Sequence, residues 1–312
     1  MKCTCNESCI KNKEDTLQEI NKKYLPCSNC NTRQLKKSMP LIRQVKLSDL
    51  DKNYLRCESC GKRHIDIVMA HVLKIMIESN QISSSTSIRN VGTPLISPAI
   101  SLRALPYLPE KSLVIITTTS DKQTAEKIIE EVPEIKAIIK GDTHQTVGKI
   151  NETTDAIEYE LLSGCDIRCD IQFTDIEPIL IYKHQSKLHI EYPKEESPKI
   201  KQLDEVLDKY ENPTVLDAMC GPGTLGIYAI LKNAKKVLFN DIYEQSLDCL
   251  KTNLKINEIP DSYYEITNEN ILNLTEKLNQ KYDVGIIDAF PNEDTRKYAE
   301  VLKQVCDEIV II

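Results

Sequence analysis

The chain has 312 residues, with 40 Lys and Arg against 47 Asp and Glu and a net charge of −7. That length suits two or three domains, each with its own core. The absence of a membrane-length apolar run or a signal-type opening excludes a membrane-spanning or exported chain and predicts a cytoplasmic one, in which twelve cysteines read as thiols and metal ligands rather than a disulfide framework. Charge is unevenly spread: residues 1–66 hold fourteen Lys and Arg against eight Asp and Glu, a formal +6, so the remainder carries −13 of the total of −7. Lys36, Lys37, Arg43, Lys46, Lys62 and Arg63 are therefore candidates to meet phosphates, with an ordinary solvated surface as the alternative.

In chain order, Cys3, Cys5 and Cys9 come first and match no familiar metal spacing. A thiol-rich tail, or a second metal or iron–sulfur site completed by Cys165 and Cys169 or by another subunit, are both open. Cys27-x-x-Cys30 and Cys57-x-x-Cys60 are clearer. Two such knuckles supply four thiolates for a tetrahedral Zn2+ and leave no open position for a reacting water, so a structural role is predicted. An iron site or a disulfide pair is the alternative. His64 and His71 fall on the following helix, over 65–82, and read as packing or surface residues. This cysteine module is assigned residues 1–80.

A middle α+β domain is assigned residues 81–205. A strand at 113–116, a helix at 122–131 and a strand at 137–139 suggest a βα unit. Alternating segments at 157–162, 166–173, 179–184 and 187–192 then read as strands, with Gln185-Ser186 as a hairpin turn between the last two.

The cofactor domain is assigned residues 206–312. Strand Val215-Leu216-Asp217 runs into Ala218-Met219-Cys220-Gly221-Pro222-Gly223-Thr224-Leu225-Gly226, where glycines let the backbone approach a ligand and a helix N-terminus offers free N–H groups. The next strand, 237–240, ends in Asp241, an acid suited to both hydroxyls of a ribose. Gly221-x-Gly223-x-x-Gly226 alone also fits a dinucleotide fold. Asp217, just before the turn, argues against a pyrophosphate and for a cationic amino group. Val215 to Gly226 with Asp241 resembles the first two motifs of class I S-adenosylmethionine-dependent methyltransferases. That resemblance implies a Rossmann-like α/β sheet in which Asp217 holds the methionine amino group, Gly221 and Gly223 admit the carboxylate, and Asp241 takes the ribose. It also places Cys220, Ile242, Asn270 and Ile271 among the cofactor contacts, with Asn270 standing where the family usually has an acid beside the adenine.

Downstream, a helix at 244–256 ends in Asn253-x-x-x-Asn257, similar to a helix end common among RNA methyltransferases. A strand at 264–267 follows, then one at 283–287 that runs into Asp288-Ala289-Phe290-Pro291. In the family this strand end carries the reaction chemistry, which implies Asp288 as proton or hydrogen-bond acceptor and Phe290 with Pro291 against a flat substrate. The alternative is that Asp288 caps a helix starting near 292–295. A fifth strand at 307–312 closes the sheet without the last two strands of the full fold. Its edge should be covered by strands from 113–190 or by a second copy in a homodimer.

The middle of the chain is also similar to archaeal tRNA guanosine N1-methyltransferases and the related wybutosine-pathway enzymes. The match runs from Ile129–Lys140 through Glu160-Leu161-Leu162-Ser163-Gly164 and Ile181-Tyr182-Lys183-His184 to Ser197-Pro198-Lys199. Lys199 stands where those proteins have arginine, Asp288-Ala289-Phe290-Pro291 where they have Asn-Leu-Pro, and the cysteine module is extra. The expectation is a methyltransferase acting on RNA of tRNA type. A small-molecule or protein methyltransferase, aminocarboxypropyl transfer, and a non-catalytic zinc-bearing scaffold are the alternatives.

Overall fold

The computed structural model describes residues 1–312 other than 2, 4, 6, 7, 31–33 and 151–154. Three short helices, α1 (Lys13–Leu17), α2 (Ile20–Lys23) and α3 (Leu47–Asn53), precede β1 (Arg63–His64) and helix α4 (Ile65–Glu78). His64 caps α4, its Nδ1 accepting from the Asp66 N–H at 3.2 Å. Eleven residues of α4 are buried, from Ile65 to Met76, as expected of a helix apolar around most of its circumference. One side packs on Leu41 and Leu50, and the same core continues to Ile115, Ile128 and Ile138. The helix assigned to the cysteine module is therefore shared with the middle of the chain.

Ile115 and Ile138 belong to a four-stranded sheet in the order β2 (Thr93–Ile96), β4 (Leu113–Thr117), β5 (Ile135–Lys140), β6 (Glu160–Gly164), while β3 (Tyr107–Leu108) pairs with β1. Helix α5 (Lys122–Glu131) joins the parallel pair β4–β5 and is capped by Asp121, which accepts from the Thr124 N–H. β2 was not anticipated. It contains Pro94 and lies at the sheet edge, where a missing N–H donor is tolerated.

β7 (Ile167–Gln172) and β8 (Ile179–His184) form an antiparallel hairpin, with Ile167 opposite His184 and Gln172 opposite Ile179. The expected hairpin turn at Gln185-Ser186 is therefore misplaced, and 187–192 is not a strand. Asp166 explains why: its carboxylate accepts from Ser186 N–H and from the Ser186 hydroxyl, and the His184 carbonyl takes the N–H groups of Lys187 and Leu188. The chain is turned away from β8 and runs on as an irregular wall. The outer edge of β8 is occupied by helix α8 (Glu244–Ile256). Asn253 pairs with both the N–H and C=O of Tyr182 (2.8 and 3.0 Å), and Asn257 does the same at Leu180 (2.9 and 2.8 Å). The two amides, one helical turn apart, act as a missing strand.

The remaining elements are α6 (Pro198–Leu207), β9 (Thr214–Asp217), α7 (Thr224–Lys232), β10 (Lys236–Asn240), α8, β11 (Tyr264–Thr267), α9 (Ile271–Leu274), β12 (Tyr282–Ile287), α10 (Arg296–Leu302) and β13 (Cys306–Ile311). The strands form a parallel five-stranded sheet in the order β11-β10-β9-β12-β13, and buried apolar clusters cover both faces. Strand order reverses at β9, which opens a crevice at the carboxyl ends of β9, β10 and β12. Among the described residues no strand from 113–190 pairs with β13, contrary to expectation. Helix α6 and the turn after it reach that edge instead: Gln202 in the helix donates to the Ile311 carbonyl at 2.8 Å, and Lys209 and Tyr210 beyond it bind Glu308. No helix among the described residues is long and apolar enough to cross a membrane.

Candidate functional site: an acid-floored cavity at the strand switch

A cavity of about 770 Å³ lies over the crevice, floored by the ends of β9, β10 and β12 and walled by residues 188–194 and Lys199. Its volume is in the range of small-molecule sites. Asp217, at the end of β9, is sealed from solvent. Its Oδ2 accepts from Gly226 N–H at 2.9 Å, while Oδ1 has no hydrogen-bond partner. Burial, and next the charge of Asp288, push this carboxyl up to about 8. A sealed carboxylate oxygen facing a cavity without a donor is costly, and a cationic donor would relieve it.

The glycines divide the work. Gly221 has φ +52°, and a Cβ on it would meet nothing within 4 Å, so this part of the turn opens onto the cavity. Gly223, at φ +101°, caps α7, and a Cβ there would strike Leu250 Cδ1 at 2.3 Å. It faces α8 and lies outside the cavity lining, a different place from the ligand approach expected of it. At Gly226 a Cβ would meet Phe239 at 2.1 Å and Asp217 Oδ2 at 2.8 Å, so only glycine lets α7 donate its N–H to that acid.

Asp241 closes β10. Gly221 N–H donates to its Oδ2 at 2.8 Å and Tyr243 N–H to its Oδ1 at 2.7 Å. Burial pushes the group up to about 6 against the pull of those donors, and each oxygen keeps a lone pair for a hydroxyl. Cys220, Ile242, Asn270 and Ile271 all line the cavity: Cys220 and Ile271 are buried, whereas Ile242 is 46% exposed. Asn270 caps α9 through Leu272 N–H at 2.9 Å, so one lone pair of its Oδ1 is already used. Asn240 was missed by sequence reasoning. Buried, it donates to the carbonyls of Ala218 and Glu269 and accepts from Glu269 N–H, stitching three loops together. A polar residue closing an apolar strand was the available signal.

Asp288, at the end of β12, does not cap a helix, since α10 starts at Arg296 after Thr295. Its carboxylate lies 2.8 and 2.7 Å from Lys199 Nζ, which also reaches Glu191 at 3.3 Å. Burial raises the Asp288 carboxyl, and Lys199 opposes that shift. Phe290 meets His189 edge to face at 5.9 Å, and Pro291 sits exposed at the rim.

Cys27, Cys30, Cys57 and Cys60 converge outside the cavity lining, with Sγ separations of 3.7, 3.6 and 3.5 Å along Cys27–Cys30, Cys27–Cys57 and Cys30–Cys60. A tetrahedral zinc with bonds of about 2.3 Å sets such edges at about 3.8 Å, so the donor set fits that ion. The expected phosphate contacts need correction. Arg63 is buried against Glu134 at 2.6 Å, Lys62 donates to the carbonyls of Lys22 and Leu25, and Lys37 pairs with Asp66. Burial without a partner is unaffordable for a guanidinium, and Glu134 supplies the partner from the middle sheet. Lys36, Arg43 and Lys46 are exposed. His71 sits 3.2 Å from the Tyr54 carbonyl, and neither it nor His64 joins the thiol group.

The parallel sheet, its reversal at β9 and the acid–glycine turn–acid sequence across β9 and β10 are similar to those of class I S-adenosylmethionine-dependent methyltransferase domains. Residues 165–298 match the family model described as N2,N2-dimethylguanosine tRNA methyltransferase. No curated protein matches. Among solved structures the chain is similar to aTrm5 in complex with tRNALeu (18% identity, 62% of this chain and 54% of that one, TM-score 0.41). It is also similar to the M. jannaschii tRNA m1G37 methyltransferase (18%, 63% and 57%, 0.40) and to Methanocaldococcus jannaschii Trm5 with adenosine (18%, 79% and 64%, 0.42). The chain thus spans little more than half the length of the first of these.

Proposed function

We propose that the protein methylates a guanosine of tRNA at its exocyclic amine, with S-adenosylmethionine as donor, in the cytoplasm. The observation that carries this reading is the unpaired, sealed oxygen of Asp217 facing a cavity that holds Asp241 and Asp288 on adjoining strand ends. Asp217 would accept from the cofactor's amino group, Gly221 would leave room for its carboxylate, and Asp241 would accept from the ribose hydroxyls. Cys220, Ile242, Asn270 and Ile271 would flank the adenine. When bound, the cofactor supplies a methyl group on a positive sulfur, reactive toward a nitrogen lone pair. The chain's task is then alignment and exclusion of water. Asp288 would take the proton that the amino nitrogen sheds, Lys199 would fix its orientation, and Phe290 and Pro291 would bracket the base.

Support for tRNA comes from the family model and from the exposed cations Lys36, Arg43 and Lys46. We assign Zn2+ to Cys27, Cys30, Cys57 and Cys60 as a structural ion. A second copy pairing along β13 would give a homodimer, and a monomer mass by light scattering would remove it.

A non-catalytic scaffold is the second reading, favoured by the ion pair that occupies Asp288. The test is incubation with methyl-labelled cofactor and separate tRNA, protein and metabolite fractions, followed by nucleoside mass spectrometry. Label in N2-methylated guanosine is expected. Label in another fraction overturns the substrate, and cofactor binding without transfer supports the scaffold.

A further inference from the structure

Three cysteines near the start of the chain meet a fourth from the middle domain. The Sγ atoms of Cys3, Cys5, Cys9 and Cys165 all lie within 4.8 Å of one another, with Cys3–Cys5 at 2.8 Å, Cys5–Cys9 at 3.2 Å and Cys3–Cys165 at 3.4 Å. These three separations are all longer than a disulfide bond of about 2.05 Å and shorter than the edge of about 3.8 Å of a single-ion tetrahedron, so the four sulfurs converge on one point. Cys169, which the sequence also offered, points elsewhere: it is fully buried with its Sγ 3.9 Å from the Asp170 carbonyl.

We propose that Cys3, Cys5, Cys9 and Cys165 form a second zinc site, one that clips the N-terminal segment to the middle sheet. Cys165 is the fixed member, buried between β6 and β7 with its N–H donated to the Lys136 carbonyl at 2.9 Å. The sulfurs of Cys3, Cys5 and Cys9 converge on it, and Cys3 and Cys5 would separate by about 1 Å to reach tetrahedral spacing. Lys136 Nζ lies 3.0 Å from Cys9 Sγ, an ammonium positioned to offset the excess negative charge of four thiolates on a divalent ion. Four sulfurs close the coordination sphere, so the ion is structural.

The position of the clip gives it a consequence. On one side Met1 packs near Leu188, Tyr243 and Cys249, the last of these in α8. On the other, Lys11 N–H donates to the Tyr182 hydroxyl at 3.2 Å, on β8. Met1 and Lys11 thus touch α8 and β8, the two elements that Asn253 and Asn257 join, and the ion would hold the chain between these two contacts.

The experiment measures metal in the full chain purified under reducing conditions. Two zinc ions per chain are expected, falling to one in Cys5→Ser/Cys9→Ser and to one in Cys57→Ser/Cys60→Ser. Hydrogen exchange of residues 8–12 should rise in the first variant and stay unchanged in the second. Zinc content that does not fall in Cys5→Ser/Cys9→Ser, an iron–sulfur absorption in the wild type, or a disulfide among these four cysteines in the alkylated, unreduced protein would each overturn the assignment. Because Cys5 and Cys9 are partly exposed, the double variant tests the site without emptying a core position.

Discussion

Replacing Asp217 by Asn separates what this carboxylate costs the fold from what it offers a ligand. Burial and the neighbouring Asp288 push the folded-state group up to about 8, whereas in the unfolded chain it titrates near 3.9. Between those values the folded protein holds a proton that the unfolded chain has released, so the contribution of Asp217 to stability is greatest below about pH 4 and falls as pH rises toward 8. The decline is about 1.4 kcal/mol per pH unit, which sums to on the order of 5 kcal/mol at pH 8. An amide carries no charge to desolvate, and its carbonyl can still accept the Gly226 N–H that Asp217 takes at 2.9 Å. Urea unfolding of both proteins at pH 5, 6.5 and 8 should show the variant ahead by a margin that widens with pH. Calorimetry at pH 8 should show S-adenosylmethionine binding weakened at least tenfold, since a charge-assisted hydrogen bond of about 1.5–3 kcal/mol is lost. Stabilities that run parallel from pH 5 to 8 would refute the buried charge, and unchanged cofactor affinity would refute the placement of the amine.

Lys199→Met removes the cation that opposes the upward shift of Asp288, so the acid limb of the single-turnover rate should move to higher pH; an unmoved limb would exclude Asp288 as proton acceptor. Asn257→Ala leaves the N–H and C=O of Leu180 unpaired in a buried junction and should cost about 2–4 kcal/mol in chemical denaturation. Gly221→Ala and Gly226→Ala should diverge. The first meets only backbone strain at positive φ, about 1–2 kcal/mol, with cofactor affinity falling further as the methyl enters the cavity. The second drives a methyl group into Phe239 and should destabilise the whole fold by about 1–3 kcal/mol or more. Thermal melts with and without cofactor distinguish the two.

What the sequence made legible was local. Helices 122–131 and 244–256 and strand 264–267 were readable because their apolar period, caps and flanking turns lie within the elements themselves. The turn around Gly221 was readable for the same reason, as acid, glycines and helix start are contiguous. The rest depends on partners distant in sequence. Arg63 looks like a surface cation until Glu134 is beside it, and Lys199 looks like a departure from a family pattern until Asp288 is seen in its grip. The Asn253–Asn257 spacing was visible, yet its purpose needed β8, whose alternate residues Tyr182 and Leu180 present their backbone groups one helical turn apart. Periodicity also predicts a strand's existence better than its partner, which is why 187–192 read as a hairpin arm although Asp166 deflects it.

The floor of the cavity explains why a cationic ligand is favoured over a dinucleotide that shares the same glycine spacing. A pyrophosphate at the turn would lie beside Asp217 and Asp241, both raised by burial, and each would have to stay protonated or repel it. An ammonium placed against the free oxygen of Asp217 reverses that balance, because the cation stabilises the ionised form that burial disfavours. Below pH 8 its binding should therefore release a proton, close to one per site at neutral pH. Calorimetric titration of S-adenosylmethionine in two buffers of different ionisation enthalpy reads that proton directly; equal heats in both buffers would mean that Asp217 is already ionised in the free protein, contrary to its sealed position.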